Sequence, residues 1–269
     1  MEGLYPALMG MLGDFWWPFC RVMAMLSVAP IIGEASVPLP LRVLLSLVLA
    51  VILIPAVHVA APIDPMSMRG VLATLEQAVI GGLLGLAFHL SMAAILTLGF
   101  LVSSQMGLSM AVMNDPLNGS SSDVVSSMLS ILCILAFFSI DGHLVLTGVV
   151  GASFQAWPVG GGWSALSLQT VVLNVAWVFS AALLLAVPVV FATLLVQLGF
   201  GFLNRVAPSL NLFSLGFSVI TLFGLFVLAQ VVQFVPEHYA RMTQRVLEML
   251  QGLMSHGMSQ GMVQGALHG

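Results

Sequence analysis

Lysine is absent from this sequence, and its 269 residues hold only six arginines against ten acidic side chains. Charged residues make up 6% of the chain, roughly a quarter of the share usual in soluble domains. A net charge of −4 with no basic patch excludes nucleic acid as a partner. Only two cysteines are present, Cys20 and Cys133, each inside an apolar run. They read as small buried hydrophobes, with a disulfide between them neither supported nor excluded. The N-terminus lacks the positive region and cleavage site of a signal peptide, so the first apolar segment is expected to stay in the mature protein. No GxSxG, HExxH or P-loop occurs. What the chain lacks in charge it has in hydrocarbon: 60% of its residues are hydrophobic and its mean hydropathy is +1.12. This is the composition of an all-α integral membrane protein.

Six apolar zones account for most of the chain, with no soluble domain between them. The first, residues 15–32, contains Pro18 and Arg21. The second, 41–61, matches one bilayer crossing. The third, 72–113, would make a straight helix ~63 Å long, twice a hydrocarbon core. It must fold back as a hairpin or continue inside protein. Asp123 offers an N-cap to the fourth zone, which Asp141 and Gly142 break before a second piece, 143–157. The fifth, 168–203, is again too long for one crossing, and Pro188 near its middle should kink it. The sixth, 212–235, stops at Pro236. Beyond it, Tyr239, Met242, Val246 and Leu250 share one helical face, while Glu237 and Arg241 form an i,i+4 pair on another. That pattern reads as an interfacial or partner-binding helix. Residues 1–250 are expected to form one helical membrane domain, and 251–269 a disordered low-complexity tail.

Six alternating crossings would place Arg42 and Arg205 on one side, and Arg69, Arg241 and Arg245 on the other. That gives no positive-inside bias. Either some zones do not cross, or partners fix the orientation. Arg21, Glu76, Gln77, His89, Asn174, Gln197, Gln230 and Gln233 all lie in or beside membrane-grade segments. A lone charge there costs ~2.5–3.5 kcal/mol on insertion scales. Arg21 and Glu76, the opposite charges deep in zones one and three, are therefore expected to pair. The amides either line a wet channel or bond between helices, the second being the commoner use. Gly81 and Gly85 form a GxxxG pair that would let two helix backbones approach closely. Ser139, Asp141 and His143 mimic a triad in order, but adjacency in sequence is not triad geometry.

The longest polar interruption is QMGLSMAVMNDPLNGSSSD, residues 105–123. Met106, Met110 and Met113 stand at helical spacing on one face. Pro116 disfavours helix at Asp115 and should mark where the helix ends. Two readings stay open on pattern alone. One is a core-facing methionine stripe followed by a surface loop, which the pattern favours. The other is a soft thioether seal beside a path.

Four stretches, FWWPFCRVMAMLSVAPIIGEASVPLPLRV, QMGLSMAVMNDP, DGHLVL and FLNRVAPSLNLFSLGF, run in that order across residues 15–217. They resemble the FliR family of flagellar type III export-gate proteins, whose sister branch serves injectisomes. The resemblance implies a protein-export subunit of the bacterial inner membrane, at the flagellar basal body, with no enzymatic activity and no cofactor or metal. It implies assembly with FliP-like and FliQ-like membrane subunits and association with FlhB-like and FlhA-like export proteins, around a pore for unfolded polypeptides. It also implies long helices standing largely above the bilayer plane. The family's pore plug maps onto Gln105, Met106, Gly107, Met110, Met113, Asn114, Asp115, Pro116 and Gly119, which turns the balance toward the seal. Candidate assembly or structural residues are Arg21, Pro30, Glu34, Pro38, Arg42, Glu76, Asn204, Arg205, Pro208 and Gly216. A polytopic small-solute transporter is the alternative from a different class.

Overall fold

Prolines and glycines set the joints of this chain, and runs of Leu, Val and Ala between them become helices. A computed structural model describes residues 4–57, 63–108, 113–115, 120–160, 165–206 and 212–267. Its helices are α1 (Leu4–Val28), α2 (Leu39–Leu53), α3 (Met68–Gln105), α4 (Val124–Ser139), α5 (Gly142–Ala156), α6 (Ala165–Val206), α7 (Leu212–Val231) and α8 (Val235–Leu267). Between α3 and α4 lie two three-residue strands, β1 (Met113–Asp115) and β2 (Ser120–Ser122). They pair antiparallel, with Met113 opposite Ser122, Asn114 opposite Ser121 and Asp115 opposite Ser120. Among the described residues the protein is all-α apart from this small ladder.

The chain forms two compact units. The first comprises Met1–Leu90, Asp141–Asn174 and Thr243–Gly269. The second comprises Ser91–Ile140 and Val175–Met242.

Within the first unit, α1 and α2 pack together across a tight connection. Ile31 takes a left-handed backbone, φ 70°. Arg42 then reaches back from the first turn of α2 to the carbonyls of Ile32 and Glu34, both 3.1 Å away. One guanidinium thus satisfies peptide oxygens that the turn leaves without helical partners. Pro38 and Pro40 fix the start of α2, where a missing N–H costs nothing. α3 lies directly on α1. A Cβ on Gly81 would stand 2.1 Å from the Arg21 carbonyl, and one on Gly85 would stand 2.4 Å from that of Met25. The GxxxG pair does here what the sequence suggests.

Up to Gln105 the third apolar zone is one uninterrupted helix, Met68–Gln105, of 38 residues rather than a hairpin. The fifth is likewise a single helix of 42 residues with Pro188 inside it. Among the described residues, four helical stretches are long and apolar enough to cross a membrane, or five with α4 and α5 counted as one. α1 falls short because Asp14, Pro18 and Arg21 dilute its hydropathy.

Two expectations need correction. α8 runs to Leu267, through the stretch expected to be a disordered tail. Its Met, Gln, Ala and Leu are good helix formers and outweigh interspersed glycines. The face of Tyr239, Met242, Val246 and Leu250 is buried within the chain itself, and Met254 extends it.

Candidate functional site

In the second unit, the α3–α4 connection is fixed at both ends. α3 ends at Gln105 because Gly107 adopts φ 75°, a left-handed conformation open to glycine at little cost. The final carbonyls of this helix would otherwise be orphaned in apolar surroundings. Gln197 of α6 donates to the Gln105 carbonyl at 3.2 Å, and the Thr221 hydroxyl of α7 donates to that of Met106 at 3.0 Å. The Met106 side chain is fully buried. It fills the space a Cβ on Gly224 would need, its Cγ lying 2.4 Å from that position. A bare backbone on α7 is thus the socket for an unbranched thioether.

The other end closes through a carboxylate. Asp123 N-caps α4, accepting the Ser126 backbone N–H at 2.9 Å, as its place after three serines suggests. The buried Ser103 hydroxyl, on α3, donates to the same carboxylate. The Ser126 hydroxyl lies 2.8 Å from the Asp123 carboxylate and 3.2 Å from the Leu96 carbonyl. Contact is close enough that a Cβ on Gly99 would fall 2.7 Å from Ser126 Cα. Beyond these two anchors stands the β1–β2 ladder.

The methionine stripe therefore does not share one helical face. Met106 terminates a helix, and Met113 lies in β1 with Asn114 and Asp115. The left-handed turn at Gly107 stops the helix well before Pro116 has any say. Met110, Pro116 and Gly119 lie outside the described residues.

A second polar cluster belongs to the first unit. Arg21 is completely buried. Its guanidinium donates to the Gln77 side-chain oxygen at 2.8 Å, the Ser153 hydroxyl at 2.9 Å and the Trp157 carbonyl at 2.8 Å. It also sits 3.9 Å from the centre of the Phe154 ring. Three bonds to a charged donor, each worth about 1.5–3 kcal/mol, together with a desolvated cation–π contact of about 2 kcal/mol, offset part of the desolvation that pulls the pKa of this guanidinium down. The expected Arg21–Glu76 pairing needs revision: the next residue, Gln77, takes the hydrogen bond, and the Glu76 carboxylate favours the cation through space. Glu76 itself lines a cavity of about 370 Å³ with Arg69, Ile63 and Gly160.

Of the remaining candidates, Pro30, Glu34 and Pro38 form the connection that Arg42 holds; the Pro38 carbonyl accepts from Leu41 and Arg42. Asn204 and Arg205 are exposed in the last turn of α6. Gly216 is buried on α7, where a Cβ would lie 3.6 Å from the Phe200 ring. Pro208 lies outside the described residues. Gln197 bonds between helices, whereas Gln233 bonds locally to the Gln230 carbonyl. Reading the sequence missed Ser103, Ser126, Thr221, Ser153 and Gly224. Serines near helix ends were the available signal for the first two.

Long apolar helices, tied internally by buried polar clusters and exposed along much of their length, define an all-α integral membrane protein. Its residues 12–246 match the family described as bacterial export proteins, family 1. The chain belongs to that family. It is 32% identical over 245 residues to flagellar biosynthetic protein FliR of Pectobacterium carotovorum, covering 90% of this chain and 93% of that one. Against FliR of Escherichia coli the identity is 28%, covering 90% and 92%. Yop proteins translocation protein T of Yersinia pestis is 29% identical, covering 64% of this chain and 67% of its own length.

Proposed function

We propose that this chain is the FliR-like subunit of a flagellar type III export gate, helping to form and to plug the export pore. The observation that carries this is end-to-end similarity to flagellar FliR proteins over 90% of the chain. The gate sits in the bacterial inner membrane at the flagellar basal body, with FliP-like and FliQ-like subunits around the pore and FlhB-like and FlhA-like proteins beside it. The chain does no chemistry, and the work of moving unfolded substrate comes from elsewhere. The likeness to Yop proteins translocation protein T supports the corresponding injectisome role as a second reading, over a shorter span. A polytopic solute transporter would act without such partners.

The plug is the α3–α4 connection, Gln105 to Ser122. A pore for polypeptide must stay closed to ions when idle, and its closure needs soft contacts that part and re-form. The two fixed ends of this connection support that assignment. Deleting Leu117–Ser121 is expected to leave the complex with small helical membrane partners intact while making the membrane leak small solutes. Copurification and solute flux measure the two effects. A deletion that assembles, stays tight and still exports overturns the plug; a lone protein that takes up solute overturns the gate.

A further inference from the structure

The Ser103–Asp123–Ser126 cluster joins the last turns of α3 to the first turn of α4, and the plug reading treats it only as a fixed end. Among the described residues Asp123 is the one buried acid, and its carboxylate holds three donors from two helices. An ordinary N-cap needs only one. The second of these helices, α3, contributes nothing to capping α4, so the Ser103 bond is additional. It spans 20 residues of sequence and closes the connection into a loop with both feet tied. The close approach of Gly99 to Ser126 leaves no room for the helices to slide at this point. On the α3 side, Met106 in its Gly224 socket, with the Gln197 and Thr221 bonds, fixes the other foot.

We infer that Ser103 and Asp123 are positioning residues that hold the plug shut, acting as a clasp at its base. This rests on the plug reading above. The geometry assigns two separable tasks to one aspartate: capping α4 through Ser126, and tying α4 to α3 through Ser103. Loss of the Ser103 hydroxyl removes the tie and leaves the cap. The base then splays, and the closed state loses one hydrogen bond to a charged group, a shift of about tenfold in the closed-to-open ratio.

The test uses the assembled gate with all its partner subunits, carrying Ser103→Ala, Ser103→Thr or the Leu117–Ser121 deletion. Hydrogen exchange at the amides of residues 123–127 reads the clasp, and small-solute flux reads closure. Faster exchange and about tenfold greater flux in Ser103→Ala, both restored by the hydroxyl of Ser103→Thr, support the inference. Exchange unchanged in Ser103→Ala overturns the clasp. Faster exchange with tight membranes, in a strain where the deletion leaks, overturns its role in closure alone. A deletion that does not leak overturns the plug reading, and the inference falls with it.

Discussion

Two buried charges hold this protein together in different ways. Arg21 collects its partners from far along the chain, across 56, 132 and 136 residues of sequence. Asp123 collects its own from within 20 residues. The first is a knot that ties α1, α3 and the end of α5 through one side chain. The second is a local tie on one connection. Removing a long-range knot unravels a unit, whereas removing a local tie frees only the element it restrains.

The largest effect should follow from Arg21→Ala, which leaves an amide, a hydroxyl and a carbonyl buried without their donor. Stability is expected to fall by about 3 kcal/mol or more, measured by thermal unfolding of the purified protein in detergent. Arg21→Lys should recover little, because an ammonium lacks the planar fork that reaches three partners at once. Should Arg21→Ala melt no earlier than Ser103→Ala, the contrast between knot and tie is void.

Glycines beneath the knot sharpen the comparison. Gly81→Ala is expected to cost about 1–3 kcal/mol through overpacking, since its Cβ would meet the Arg21 carbonyl at 2.1 Å. Gly82→Ala has open space around it and should be neutral, or gain about 0.5–1 kcal/mol of helix propensity. Equal melting temperatures for the two variants would show that α1 and α3 are not in backbone contact.

The smallest effect belongs to the exposed Glu237–Arg241 pair of α8. Its removal by Arg241→Ala should change stability by less than about 0.5 kcal/mol, because water screens both partners. A larger loss would mean that surface pairing matters more in this chain than its buried, neutral-partnered arginine suggests.

What the sequence made legible was short in range. The Asp123 cap, the Gly81–Gly85 contact and the buried face of α8 each follow from a spacing of three or four residues, which helical geometry converts directly into position. The end of α3 did not follow. Hydrophobic residues continue to Met113, and nothing in their periodicity tells that Gly107 turns left-handed. The partner of Arg21 was misjudged by one residue, because opposite charge drew the eye to Glu76 while helix rotation aims Gln77. Ser153 and the Trp157 carbonyl were beyond reach, since only the fold brings α5 to that side chain. The tail's helicity was masked by glycines that a repetitive composition turns into an apparent sign of disorder.

α3 holds 38 residues with no proline inside it, a rod ~57 Å long. Hydrocarbon about 30 Å thick would contain such a rod only at a tilt of about 58°, and membrane helices lean by about 20° on average and seldom beyond about 40°. Leaning therefore cannot hide it, and some of its length stands clear of the lipid in any ordinary bilayer. Val71, Leu72, Leu75 and Val79, all exposed near its first turns, are where water would be met first, and where a protein surface must lie for the rod to stay dry.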